Sequence, residues 1–248
     1  MKKQNNSDAI YGIHSAIEAI RSGKEIDKIM IKKGLTGELA QELLELLRSH
    51  GIAPQIVPPD KFNRMGNRNH QGVVAYLSPV DFQPIEEVIA RIWEQGKDPF
   101  LVVLDSVTDV RNFGAIVRSA ECAGAHAVVF PTKGSARIGS DAVKTSAGAL
   151  HHMPVCRVGS LKSTLNYLRL SGIRIVAATE KASTPFTQSN MKPPIAIVMG
   201  SEDMGISESV LKMADELVAI PILGKVGSLN VSVAAGLMMY EAVRQGEL

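Results

Sequence analysis

Cysteine is nearly absent from this chain: 248 residues contain two, Cys122 and Cys156, far apart and in apolar surroundings. That argues against a disulfide framework and for reduced core thiols in a cytoplasmic protein. No apolar run approaches the roughly 18 residues that span a bilayer, so no membrane segment is expected. The opening Met1-Lys2-Lys3-Gln4-Asn5-Asn6 has no apolar stretch behind its lysines and does not read as a signal peptide. Tryptophan occurs once, at Trp93, which reads as a packing residue. There is no GxGxxG after a strand, no Walker lysine motif and no GxSxG elbow. His151-His152 stands without acidic, His or Cys partners at ligand spacing, so no metal is expected. The formal net charge of +2 is too small to argue for a nucleic acid by itself.

What is present is an ordinary globular composition, 45% apolar and 21% charged, long enough for one large domain or two modest ones. Residues 1–77 hold 11 Lys and Arg against 8 Asp and Glu, while 78–248 hold 16 against 17. The front is therefore the more basic part, which favours a phosphate backbone, although solvated surface charge would look the same.

The pattern predicts a helix over 10–22, strands at 28–32, 54–57 and 73–77, a helix through Leu39 to Leu47, and a helical turn at 60–65. This is a compact αβαβαβ unit. Its loop Asn63-Arg64-Met65-Gly66-Asn67-Arg68-Asn69-His70-Gln71-Gly72 is basic and amide-rich, with Arg64, Arg68 and His70 as candidate RNA contacts. Ordinary turn-forming residues are the competing reading. Residues 78–98 read as a linker around a short amphipathic helix bearing Ile85, Val88, Ile89 and Ile92.

Beyond residue 99 the pattern changes. Apolar runs without alternation recur at 100–104, 127–130, 155–158, 173–178, 195–199 and 217–222, separated by helical segments at 114–123, 140–150, 161–170, 208–214 and 231–244. This describes a parallel sheet covered on both faces, whose ligands bind outside the carboxyl ends of its strands. Three loops follow strands there: Asn112 to Arg118, Met199 to Gly205, and Ile220 to Asn230. Glycine-bearing loops at helix N-termini offer free backbone N–H groups to a small polar or anionic ligand. Asn112 reads as a helix cap, and Gly114 as a gap giving a substrate access to Arg118, which otherwise pairs with Glu121. Glu202 reads as a loop acid or a cap of the next helix. Ser228 and Asn230 flank Leu229 as two cap-type residues where one would suffice.

These three stretches resemble the three motifs of the SpoU family of RNA ribose 2′-O-methyltransferases. They are Asn112 to Gly124, Met199 to Ser207, and Ile220-Pro221 through Ser228-Leu229-Asn230 to Tyr240-Glu241. The front stretches Tyr11-Gly12-Ile13-His14 to Ile20 and His70-Gln71-Gly72-Val73-Val74-Ala75 resemble the substrate-binding domain, itself similar to ribosomal protein L30e, of the members that methylate a guanosine of 23S ribosomal RNA. The resemblance implies an α/β fold in which an L30e-like domain (1–77), a linker (78–98) and a parallel-sheet domain with a deep trefoil knot (99–248) follow one another. It implies S-adenosyl-L-methionine against Met199, Gly200, Gly205, Ile220 and Leu229. Arg118, Asn112, Glu202, Ser228 and Asn230 then form the catalytic side, with Arg118 as base or as phosphate clamp. It also implies RNA as the substrate and a homodimer through the last helix. The same chemistry on transfer RNA, or a non-catalytic RNA-binding protein on the same scaffold, are the alternatives.

Overall fold

The computed structural model describes residues 9–63 and 69–246. The chain divides into two units, Met1–Asp81 and Phe82–Leu248.

The first unit runs β1 (Ala9–Tyr11), α1 (Ile13–Arg21), β2 (Ile26–Lys32), α2 (Glu38–Ser49), β3 (Gln55–Val57), α3 (Pro59–Asn63) and β4 (Val73–Leu77). The strands are ordered β1-β4-β2-β3. Alternation along β2 decides its two faces: Ile29 and Ile31 pack with Ile13, Ile17, Ile20, Leu43 and Leu47 of α1 and α2. Met30 points the other way, to Val57, Phe62 and Val74. The helix expected from Ile10 starts later. Ile10 belongs to β1, opposite Ala75. Gly12, at φ +94°, makes the corner between strand and helix and donates its N–H to Val73 O at 3.0 Å. Arg64 and Arg68 lie outside the described residues. His70 is half-buried, its ring 4.9 Å from that of Phe62 and its Nδ1 accepting from Gly72 N at 3.0 Å.

The second unit contains α4 (Ile85–Glu94), β5 (Phe100–Leu104), α5 (Val110–Cys122), β6 (Ala127–Pro131), α6 (Ser140–Thr145), β7 (Val155–Val158), α7 (Leu161–Leu170), β8 (Arg174–Ala178), β9 (Ile195–Met199), α8 (Glu208–Leu211), β10 (Glu216–Val218) and α9 (Val231–Gln245). Its six strands form one parallel sheet in the order β10-β8-β9-β5-β6-β7. The α/β class with a parallel C-terminal sheet is as expected. Continuous apolar strands are what two covered faces require. On one face Leu101, Val103, Val129, Ile175 and Val198 pack against α4, α7 and α8. On the other, Phe113 of α5 meets Phe130 edge-on, with ring centroids 5.2 Å apart.

Two expectations change here. The stretch 78–98 forms the expected short helix, α4, but not a linker: its Ile85, Val88, Ile89 and Ile92 are buried in the core of the second unit. Four apolar residues on one helical face have to be covered, and the sheet beside them covers them. The strand expected over 217–222 ends at Val218, because from Ala219 the backbone pairs with residues 184–186 instead, Ala219 N donating to Thr184 O at 2.8 Å and its carbonyl accepting from Phe186 N at 2.9 Å. Residues 220–230 become a loop.

The last helix carries two apolar faces. Val231, Ala235, Met238, Met239 and Ala242 are buried, whereas Val233, Leu237 and Tyr240 stand out, at 52%, 42% and 52% exposure. Its C-terminal end is pinned by Gln245, whose Oε1 accepts from Met191 N and whose Nε2 donates to Ser189 O. The Arg244 guanidinium on Glu241 holds that carboxyl below its ordinary range, with Gln245 adding a second donor. Among the described residues no helix is long and apolar enough to cross a membrane. No group of three metal-ligating side chains gathers among them either.

Candidate functional site

At the carboxyl ends of β8, β9 and β10 three loops enclose a cavity of about 470 Å³. Its wall is Ala178 to Lys181 after β8, Met199 to Gly205 after β9, and Ile220, Ile222 and Gly227 to Leu229 after β10, with Val231 and Ala234 of α9. The volume lies within the roughly 300–1,000 Å³ of small-molecule sites. Of the residues expected to hold a cofactor, Met199, Gly200, Gly205, Ile220 and Leu229 all line it, as do Glu202 and Ser228.

Asn230 ties the three motif loops together. Its Oδ1 accepts from Ser232 N at 3.0 Å, capping α9. Its Nδ2 donates both to Asn112 Oδ1, at 3.0 Å, and to Glu202 Oε1 in a short contact. Glu202 Oε1 also accepts from Val231 N, in the first turn of α9, where a carboxylate meets the positive end of the helix. Glu202 therefore serves the last helix and not the one that follows it in sequence. Asn112 is not the cap it was expected to be. Asp109 caps α5, accepting from Arg111 N and Asn112 N at 2.8 and 2.9 Å. The amide of Asn112 is left free of capping, and this is what lets it reach Asn230.

Glycines fix the close approaches. A Cβ on Gly200 would stand 2.2 Å from the Gly205 carbonyl carbon, so the 200–205 loop can fold back on itself only with glycine there. Ser201 and Gly205 exchange backbone hydrogen bonds of 3.1 and 3.0 Å, which present Glu202 at the tip. Gly114 has a different role from the one expected. A Cβ there would lie 2.7 Å from Thr145 Cβ, so its missing side chain admits α6, not a substrate.

Asp105 was not foreseen. It is buried at the end of β5, its N–H donates to Met199 O at 2.8 Å, and its Oδ2 accepts from Ser207 N at 2.8 Å. It locks the β5 end to the far side of the 200–205 loop. The available signal was a lone acid closing the apolar run Phe100 to Leu104.

Arg118 is exposed and stands outside the cavity wall. Among the described residues it takes no ion-pair or hydrogen-bond partner, Glu121 included. Its neighbour Ser119 lines a shallow groove with Val233, Leu237 and Tyr240 of α9. The structure thus brings Asn112, Glu202, Asn230 and Ser228 to one place and leaves Arg118 apart from them.

The chemistry of the wall suits S-adenosylmethionine. Between Ile220 and Leu229 no backbone N–H donates to a backbone carbonyl of the described residues, so main-chain donors and acceptors remain for the edges of a base. Met199, Ile220, Leu229 and Ala234 supply apolar surface for its faces.

Known proteins resemble this chain in sequence and fold. A model described as the SpoU rRNA Methylase family matches residues 99–240. A model described as RNA 2′-O ribose methyltransferase substrate binding matches residues 9–83. A putative TrmH family tRNA/rRNA methyltransferase of Bacillus subtilis is 35% identical over 96% of each chain. The SpoU methyltransferase AviRb of Streptomyces viridochromogenes, solved with the cofactor AdoMet, superposes with a TM-score of 0.60 at 26% identity, covering 96% of this chain and 89% of that one. A TrmH/SpoU tRNA modifying enzyme of A. aeolicus, with a TM-score of 0.54 and 29% identity, covers 65% of this chain and 83% of its own.

Proposed function

Since the chain belongs to the SpoU rRNA methylase family, we propose that its substrate is 23S ribosomal RNA, methylated at the ribose 2′-hydroxyl of a guanosine. The coarser activity comes with the family: RNA 2′-O-methylation that depends on S-adenosylmethionine. With it comes the fold, a trefoil-knotted parallel-sheet domain behind a small α/β domain. The ribosomal assignment is supported by the substrate-binding match over 9–83. The tRNA modifying enzyme, by contrast, covers 65% of this chain and so leaves about a third without a counterpart.

The observation that carries the reading is the Asn112–Asn230–Glu202 bridge at the cavity. S-adenosylmethionine supplies a methyl group on a cationic sulfur; the protein has to bind, orient and manage a proton. Met199, Gly200, Gly205, Ile220 and Leu229 would hold the cofactor. Asn112, Ser228 and Asn230 would place the ribose so that its 2′-oxygen lies in line with the methyl group. The bridge uses both N–H groups and the oxygen of the Asn230 amide, so Asn230 acts by orienting Asn112, whose Nδ2 is left to meet the ribose already in place.

Arg118, next in sequence to Ser119 of the α9 groove, would act on this chemistry through the RNA it holds. A guanidinium is a poor base, so Arg118 acts by holding an RNA phosphate or by stabilising charge developing on the 2′-oxygen. The apolar residues Val233, Leu237 and Tyr240 form the surface of a homodimer, and Arg118 beside Ser119 sits at its margin. Arg64, Arg68 and His70 contact RNA from the first unit, His70 through Nε2, since Nδ1 is engaged. Site and substrate are cytoplasmic.

Mapping 2′-O-methyl groups in RNA from a deletion strain tests the substrate, and a loss confined to transfer RNA would overturn the ribosomal assignment. Arg118→Ala, with cofactor binding and turnover measured separately, tests the residue. Turnover is expected to fall with cofactor affinity retained, and near-normal transfer would remove Arg118 from the mechanism.

A further inference from the structure

The turn after β8 enters the cavity wall, yet none of the three motifs includes it. Thr179 is buried, its N–H donating to Val218 O at 2.9 Å and its Oγ1 accepting weakly from Lys181 N at 3.4 Å. Ala182 N closes the turn on Thr179 O at 3.2 Å. This anchoring sets Glu180 and Lys181 on the cavity wall.

The charges of that wall are uneven. Among the described residues its titratable side chains are Glu180, Lys181, Glu202 and Asp203, with Lys181 the single cation. Glu202 is already occupied by Asn230 and Val231 N. Lys181 forms no ion pair among the described residues. A cofactor that ends in an amino acid brings a carboxylate into a site where three carboxylates already stand. That group needs a cation, and the wall has one to offer.

We propose that Lys181 is the group that binds the carboxylate of the cofactor's amino-acid end, with the Thr179 turn setting its position. The inference rests on the reading of the cavity as the S-adenosylmethionine site. It makes the turn a specificity element: a ligand with the same nucleoside but no carboxylate gains nothing from Lys181.

Calorimetric titration of the full-length protein tests this without any RNA. S-adenosylmethionine and 5′-methylthioadenosine, which lacks the amino-acid end, are the two probes. Lys181→Met keeps most of the aliphatic stem and removes the charge. It is expected to weaken S-adenosylmethionine about ten-fold, the scale of one charge-assisted contact, and to leave methylthioadenosine within two-fold. Lys181→Arg should restore most of the loss, and the wild-type preference should shrink at high salt. Equal weakening of both probes would overturn the proposal, because Lys181 would then only shape the cavity. Unchanged affinity for both would overturn it as well. If the wild-type protein binds neither probe, the cofactor reading of the cavity falls and takes the assignment with it.

Discussion

Asn230 does two things with one amide: its oxygen caps α9 and its nitrogen joins Asn112 to Glu202. The two can be separated. Asn230→Ser keeps a capping oxygen but is too short to donate to both partners, whereas Asn230→Ala loses everything. Methyl transfer is expected to fall at least about ten-fold in both, as when one oriented donor is removed from a polar site. Only Asn230→Ala should also lose about 1 kcal/mol of stability, the usual worth of a cap. Urea unfolding beside a transfer assay separates these outcomes, and full activity in the Ser variant would sever the bridge from the chemistry. Asn230 was legible in the sequence because two cap-type residues around Leu229 exceed what one helix start requires. Its partners were not: Asn112 lies 118 positions away, and no local pattern says which amide it will meet. The misreading of Asn112 as a cap has a simple cause. Asp109 and Asn112 are both cap types, and only the backbone shows that Asp109 is the extended residue before the helix.

Between elements, the second unit depends on close approaches that composition hides. Gly114 lets α5 and α6 touch, so Gly114→Ala must push Thr145 or the α6 backbone aside. A loss of about 1–3 kcal/mol is expected from this overpacking, and thermal unfolding would show it. The edges of β5 and β6 are joined by His126, whose Nδ1 accepts from Phe100 N at 3.1 Å while the His126 backbone N–H donates to Phe100 O. Burial, aided by Lys97, holds this imidazole below its ordinary value of 6.5. The folded state therefore prefers neutral His126 and the unfolded chain binds the proton more readily. Its contribution is present above about pH 6.5 and is lost as the pH falls below that. His126→Asn keeps an acceptor but cannot titrate. The stability difference between pH 7.5 and 5.5 should thus be smaller in the variant, and an equal difference in both proteins would contradict this. Strand and helix positions were largely readable from apolar runs and glycine stops. The exceptions were β1, which Gly12 splits from its helix, and β10, which stops short of Pro221.

For the whole molecule, the sequence showed α9 as apolar on nearly every side, and the structure divides that between two surfaces. Met238 is fully buried and Leu237 is not. A polar residue at Met238 would damage the fold of the unit, so Leu237→Glu is the cleaner probe of self-association. It is expected to give a monomer by sedimentation, with weaker cofactor binding because the N-terminal end of the same helix walls the cavity. A monomer that binds the cofactor at full strength would show that assembly and site are independent.

One consequence of the Asn230 bridge concerns the order in which the chain is made. Asn112 and Glu202 leave the ribosome well before the segment that joins them, and Asp105 likewise waits 102 residues for Ser207. A nascent or prematurely terminated chain that lacks the final helix would have the sheet but neither the cap nor the far wall of the cavity. The link between Asn112 and Glu202 and the α9 side of the cavity are therefore complete only once residues 230–245 have been made.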